Sequence, residues 1–98
     1  MNEIRTALSE AGCVVFRINV GKMPTPDGRW FDAGTPAGFS DLFGFRCDGR
    51  AFFIEVKTPS GRISQKQTAF LNAMRRSGAL AGTARSVLEA LTIIKGEE

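Results

Sequence analysis

The sequence predicts an α/β fold in which helices flank a mixed central β-sheet, and three observations carry that prediction. Short runs rich in β-branched and aromatic residues alternate with segments whose apolar residues recur at helical spacing. Serine-led capping patterns precede two of the helical segments, and glycines follow helical segments. The resulting order is helix, strand, loop, strand, strand, helix, strand, helix, which is typical of an α/β sandwich.

Composition sets the broad class of the protein. Its 98 residues suit one domain over residues 1–98, and 43% hydrophobic with 23% charged residues is typical of a soluble globular chain. The net charge of +3 suits a polyanionic partner but does not prove one. Cys13 and Cys47 lack CxxC spacing and the chain has no histidine, which argues against a zinc site. Because there is no membrane-length apolar run and no signal peptide pattern, we expect a cytoplasmic protein.

The first predicted helix has Asn2 as its cap and ends at Gly12. Glu3 lies in its first turn, where the helix dipole alone would favour a carboxylate. A β-branched run then predicts the first strand, over residues 13–19, beside the hairpin described below. The apolar residues of the helix recur at helical spacing, at Ile4, Ala7, Leu8 and Ala11.

Residues 20–37 contain three prolines and three glycines, which exclude a long regular element. Within this segment, Asp27-Gly28 followed by a short aromatic run could form a small hairpin. Lys22, Arg29 and Trp30 are of the types that contact phosphates and stack on bases. The alternative is that Trp30 and Phe31 cover the edge of the core.

Two apolar runs on either side of Asp48-Gly49 predict a β-hairpin. The length of its loop decides which face Asp41 occupies, because side chains alternate between faces with a period of two. A two-residue loop would put Asp41 on the wrong side for Glu55. A three-residue loop, Cys47 to Gly49, with Gly49 in the left-handed region, puts Asp41 opposite Glu55 and beside Lys57. We predict the three-residue loop.

Two carboxylates and a lysine on one strand face predict a metal-dependent site that cleaves phosphodiesters. Carboxylate oxygens bind Mg²⁺, which can activate water and offset the charge of a phosphate. The ammonium of Lys57 can orient or help to deprotonate the attacking water and stabilise the developing charge. The alternative is an ordinary salt bridge between Lys57 and Glu55 or Asp41. The apolar residues around Glu55 show little sign of a solvated face and weigh against that alternative.

The last part of the chain predicts a helix, a strand and a helix. Ser64 is the expected cap of a helix over residues 65–77, with Gln67 completing a capping box. A weak strand follows over residues 79–85, and Ser86 caps the final helix. Four basic residues are candidates for contact with backbone phosphates, although the default interpretation is that they are solvated charges on the helix surface. They are Arg62, Lys66, Arg75 and Arg76.

Asp41 and Glu55-Val56-Lys57 after a hairpin resemble the core of the PD-(D/E)-x-K nucleases. More closely, several segments resemble the small VRR-NUC domains of phages and bacteria, relatives of the Holliday junction resolvases. Ser40 departs from the proline in the superfamily name, which affects turn rigidity rather than chemistry. The segments are Gly38-Phe39-Ser40-Asp41-Leu42, Phe53-Ile54-Glu55-Val56-Lys57, Gly61-Arg62-Ile63-Ser64 and Gln67.

This resemblance implies a restriction-endonuclease-like core that binds Mg²⁺ or Mn²⁺ and cleaves DNA. In the family a glutamate on the first helix points into the site, and by its spacing Glu3 matches better than Glu10. Gln67 matches a glutamine that the family places beside the lysine. The expected metal ligands are Asp41, Glu55, the Val56 carbonyl and Glu3, and the expected catalytic residues are Asp41, Glu55, Lys57, Gln67 and Glu3.

The first functional hypothesis is therefore a metal-dependent DNA endonuclease. The chain is small and does not resemble a zinc finger or a helix-turn-helix, so we expect weak sequence specificity. A single site needs a second chain for a second cut, so we expect a homodimer. Resolvase-like family members fit this arrangement, so the resemblance implies action on branched DNA such as four-way junctions. The alternatives are a catalytically silent nucleic-acid-binding module and a nuclease subunit of a larger restriction or repair complex. The terminal helix and the loop around Trp30 are possible dimer surfaces.

Overall fold

The computed structural model describes residues 1–18, 22–24, 30–32 and 38–96. Within these ranges no helix is long and apolar enough to cross a lipid bilayer. The predicted α/β class is confirmed, with three helices and a mixed four-stranded sheet in the described part of the chain. The elements are α1 Asn2–Glu10, β1 Val14–Arg17, β2 Lys22–Pro24, β3 Trp30–Asp32, β4 Leu42–Phe45, β5 Ala51–Val56, α2 Gln65–Arg76, β6 Leu80–Ala84 and α3 Val87–Lys95.

The main sheet has the strand order β1-β4-β5-β6. β4 pairs antiparallel with both β1 and β5, whereas β6 runs parallel to β5, so the sheet is mixed as predicted. The expected position of the first strand beside the hairpin is confirmed. β2 and β3 form a separate antiparallel pair, which confirms a small hairpin in that segment. Its expected turn, Asp27-Gly28, lies outside the described residues.

The two faces of the sheet are covered differently. Leu42, Phe52 and Ile54 project from one face and are fully buried in the core shared with α1 and α3. Burying each such side chain contributes about 1.5–3 kcal/mol, so this face is the main hydrophobic core. α2 lies on the opposite face, where Phe70 packs edge-on against Phe53 with ring centroids 5.6 Å apart. The result is a three-layer arrangement of helices, sheet and helix.

The helix ends follow local backbone chemistry, with one correction. Asn2 was predicted as the cap of α1, but Asn2 is itself helical and Met1 is the cap residue, without a side-chain cap bond. A cap residue needs non-helical backbone, which Asn2 does not have. The predicted end of α1 is confirmed, because Gly12 N donates to Ser9 O and the next amide donates to Leu8 O.

α2 begins with the predicted capping box. Gln67 N donates to Ser64 Oγ at 3.1 Å, and Ser64 N donates in return to Gln67 Oε1 at 2.9 Å. Ser86 caps α3 as predicted, since its Oγ accepts from Glu89 N at 3.1 Å. These caps fix where both helices start, and the first cap also orients Gln67 beside the sheet.

Candidate active site

The β4–β5 hairpin brings the two predicted acidic residues opposite one another. Leu42 pairs with Ile54, so continuing the same ladder by one residue sets Asp41 across from Glu55. Glu55 and Lys57 are two residues apart, which directs them to the same side as Asp41. The predicted register is confirmed.

The hairpin loop explains this register. Arg46 N donates to Arg50 O at 2.9 Å, and Gly49 N donates to Arg46 O at 2.9 Å, so the loop consists of residues 47–49. Gly49 has a φ of 86°, in the left-handed region that glycine adopts without a steric penalty. The predicted three-residue loop is therefore confirmed, with Gly49 in the predicted conformation.

Asp41 is held from both neighbouring strands. Its backbone oxygen accepts from Ile18 N at 2.8 Å, and its side-chain Oδ2 accepts from Val56 N at 2.9 Å. The preceding residue, Ser40, is buried and donates its hydroxyl to Leu42 O at 2.8 Å. A serine at the superfamily's proline position thus stabilises the turn through a hydrogen bond.

Gly38 connects this turn to α2. It has a φ of 87°, and a Cβ placed on it would lie only 2.5 Å from Lys66 O in the first turn of the helix. Only glycine permits so close an approach of the two backbones. The segment that carries Asp41 is therefore packed directly against the helix turn that carries Gln67.

Glu55 is the centre of the cluster, with only 2% of its surface exposed. Its Oε1 accepts from Gln67 Nε2 at 2.9 Å and lies 3.6 Å from Lys57 Nζ. Its Oε2 is buried without a hydrogen-bond partner in the protein. Gln67 thus makes its capping contact and a contact with Glu55 at the same time.

The environment changes the acidity of Glu55. Burial, followed by the interaction with the neighbouring Asp41 carboxyl, raises the pKa of this carboxyl from 4.5 to about 7, while Lys57 opposes the rise. A buried carboxylate beside a second carboxylate is unfavourable until a cation neutralises both. The cluster is therefore suited to bind a positive ion.

The donor set fits a hard divalent metal. Glu55 has an unpartnered Oε2 and its carboxyl interacts with that of Asp41, and oxygen ligands of this kind suit Mg²⁺, which retains several waters. In the part of the chain that the structure describes, no group of three Asp, Glu or Cys side chains forms a metal cluster.

Glu3 and Glu10 occupy different clefts. Glu3 is exposed and lines a cleft of about 350 Å³ together with Val56, Lys57 and Arg85. Glu10, which is also on α1, lines a different cleft together with Val15 of β1. The structure thus places Glu3 nearer to Lys57, whereas its participation in metal binding or catalysis stays a prediction.

The predicted basic residues fall into separate groups. Arg62 and Lys66 are exposed near the start of α2, close to Gln67. Arg75 and Arg76 lie at the far end of this helix, roughly 15 Å away. Lys22 and Trp30 belong to β2 and β3, and Arg29 lies outside the described residues.

Arg85 was not among the predicted site residues. Its guanidinium donates to Gly61 O at 2.8 Å and so stabilises the turn that follows Lys57. Arg85 comes directly after β6, whose last residue, Ala84, pairs with Val56. The position of Arg85 directly after a predicted strand was a usable signal that it lies near Lys57. That signal could be interpreted only once β6 was known to pair with β5.

Comparison with known proteins gives concordant results. A family model for the VRR-NUC domain matches residues 7–88. A solved structure described as "VRR_NUC domain" superposes with a TM-score of 0.63 and 19% identity, covering 99% of this chain and 96% of that chain. At this identity the structural similarity shows the fold alone. No curated protein matches the chain.

Proposed function

The chain belongs to the VRR-NUC domain family, which has a nuclease-type fold, and from that premise we propose that it hydrolyses phosphodiester bonds in DNA with a divalent metal ion. The observation that carries this proposal is the cluster of Asp41, Glu55, Lys57 and Gln67 on one face of the sheet. An acid pair with one unpartnered buried oxygen is poorly explained as a structural salt bridge.

Asp41 and Glu55 are the proposed ligands of Mg²⁺ or Mn²⁺. The Val56 carbonyl is a third, because Val56 N points to Asp41 and the two polar groups of a residue in an extended strand share one side. When bound, the metal supplies an activated water and offsets the charge of the phosphate. Glu3 is proposed as a further oxygen ligand from the adjacent cleft.

Lys57 and Gln67 act around the carboxylates. Lys57 is mostly buried, and its ammonium lies 3.6 Å from Glu55 Oε1. From there it can orient the attacking water, assist its deprotonation and stabilise charge that develops on the phosphate. Gln67 donates to the same oxygen of Glu55 and so helps to hold the carboxylate in place. Lys57 and Gln67 thus supply cationic and orienting functions, respectively.

The proposed substrate is branched DNA, with a four-way junction as the first choice. Specific base recognition typically buries about 1,000–2,500 Å² of protein, which is difficult for a chain of 98 residues. Arg62 and Lys66 are proposed to contact phosphates close to the carboxylates, and Arg75, Arg76, Lys22, Arg29 and Trp30 are proposed as further DNA contacts.

We further propose that residues 1–98 form one domain that works as a homodimer. Two-fold symmetry would place two identical sites on a symmetric junction. Leu88 supports α3 as an apolar contact surface, because it is a large hydrophobic residue that is 74% exposed.

The test combines a panel of substrates with sedimentation. Cleavage of duplex, flap and four-way DNA of matched sequence should require Mg²⁺ or Mn²⁺, favour the four-way junction and coincide with a dimer. Leu88→Asp should weaken the dimer and the paired cut on the junction. A monomer that cleaves duplex and junction equally would contradict both the dimer and the branched substrate, leaving a nonspecific nuclease. A parent protein that binds DNA without cutting it would instead indicate the silent module.

A further inference from the structure

A row of phenylalanines crosses the sheet on the face that carries Asp41 and Glu55. The rings of Phe16 and Phe43 are stacked with centroids 6.2 Å apart, and those of Phe43 and Phe53 are stacked at 4.9 Å. Phe43 follows Asp41 by two residues and Phe53 precedes Glu55 by two, so both project from the face of the carboxylates. The row therefore begins immediately beside the candidate active site.

One end of this row is covered and the other is open. α2 contacts β5 and β6, and among the described residues it contacts neither β1 nor β4. Phe53 is accordingly packed against Phe70 of α2, whereas Phe16 of β1 and Phe45 of β4 are 49% and 38% exposed. Aromatic side chains exposed in a contiguous patch are unusual unless they meet a partner.

The surroundings of the carboxylates indicate which partner fits. On one side of Asp41 and Glu55 lies the start of α2 with the exposed Arg62 and Lys66. On the other side lie the open phenylalanine rings. Proteins that hold single-stranded nucleic acid combine a basic track for the backbone with aromatic rings on which bases stack.

We propose that the exposed ring of Phe16, backed by Phe43 and with Phe45 at the rim, forms a stacking platform for an unpaired DNA base next to the phosphate that is cut. This inference rests on the proposed function, because it assumes that a DNA strand lies across Asp41 and Glu55. Bases inside a duplex are already stacked on both faces, so the platform selects a frayed, flapped or extruded nucleotide. It thus supplies a physical reason for a preference for branched DNA.

Three substitutions at Phe16 separate stacking from simple burial. Phe16→Ala removes the ring, Phe16→Leu keeps apolar bulk but has no π-face, and Phe16→Trp enlarges the π-face. Thr6→Ala is the control, since it shortens an exposed side chain on α1, on the sheet face opposite the phenylalanine row. All variants are compared with the parent by circular dichroism before binding is measured.

The probe is a single-stranded oligonucleotide containing 2-aminopurine, with a duplex of the same sequence, in Ca²⁺ instead of Mg²⁺. We expect the ratio of single-stranded to duplex affinity to fall roughly ten-fold in Phe16→Ala and Phe16→Leu. Phe16→Trp should restore the ratio, and Thr6→Ala should leave it at the parental value. Quenching of 2-aminopurine should decrease in parallel with the affinity.

Two results would overturn the platform. One is a parental affinity ratio in Phe16→Leu, which would show that a π-face is not required. The other is a dimer that dissociates in Phe16→Ala, which would show that a second copy of the chain covers the patch. Failure of the proposed function would look different, as a parent protein without metal-dependent cleavage, because quenching of 2-aminopurine does not depend on cleavage.

Discussion

Replacing Glu55 by glutamine is expected to stabilise the metal-free protein above neutral pH. Glu55 is buried, and its pKa is raised from 4.5 to about 7 by burial and by the Asp41 carboxylate. A carboxyl whose pKa is raised on folding binds its proton more tightly in the folded protein than in the unfolded chain. The contribution of Glu55 to the free energy of unfolding therefore falls as the pH rises from about 4.5 to about 7, and this contribution is constant above that range.

The size of the effect follows from the rise in the pKa. At roughly 1.4 kcal/mol for each pKa unit, a rise from 4.5 to about 7 corresponds to about 3 kcal/mol. Glutamine removes this charge and can still accept a hydrogen bond from Gln67. For a domain of this size, about 3 kcal/mol corresponds to a melting temperature higher by on the order of 10 °C.

Thermal unfolding in EDTA, followed by circular dichroism at pH 5 and pH 8, measures this effect. Glu55→Gln should melt close to the parent at pH 5, where most of the parent's Glu55 is protonated, and well above it at pH 8. Glu10→Gln controls for the loss of one exposed negative charge. An equal difference between Glu55→Gln and the parent at both pH values would refute the explanation based on a buried charge.

Three further predictions concern the residues around the carboxylates. Gly38→Ala should lower the free energy of unfolding, measured in urea, more than Gly49→Ala does. Both glycines have positive φ, but only at Gly38 would an added Cβ lie 2.5 Å from a backbone carbonyl oxygen. Equal losses of unfolding free energy in the two variants would contradict this. Gln67→Glu keeps the capping acceptor but loses the donor to Glu55 and adds a negative charge beside it. Cleavage at pH 7 should therefore fall at least about ten-fold. The pH optimum, measured from a pH profile of the cleavage rate, should rise because the added charge raises the pKa of Glu55. Lys57→Ala should lower the single-turnover rate roughly 10²–10³-fold while the protein stays folded, and a parental rate would remove Lys57 from the mechanism.

Local signals predicted a large part of the fold. Gly49 tolerates a left-handed conformation, and the period of two in a strand converts that loop into the pairing of Asp41 with Glu55. The capping box of Ser64 and Gln67 was likewise readable from spacing alone. In each case residues within a few positions of one another determine the geometry.

Contacts between distant segments were harder to predict. Nothing local indicates that Gly38 packs against the first turn of α2, or that Arg85 reaches Gly61. The aromatic row also depends on β1 pairing with β4, which brings Phe16 beside Phe43. For Asn2 a local signal gave a wrong prediction. Asparagine is a good cap residue, but the helix begins one residue earlier than predicted, so Asn2 is its first helical residue.

The most direct measurement is a single-turnover cleavage assay of the parent and Asp41→Asn, on one four-way DNA, across a titration of Mg²⁺. The paired carboxylates of Asp41 and Glu55 predict cleavage that saturates with Mg²⁺ in the parent and is absent in EDTA. They also predict that Asp41→Asn, folded by circular dichroism, cuts at least about 10²-fold more slowly. Cleavage by the parent in EDTA, or an Asp41→Asn variant with the parental rate and Mg²⁺ dependence, would contradict a metal site built on these two residues.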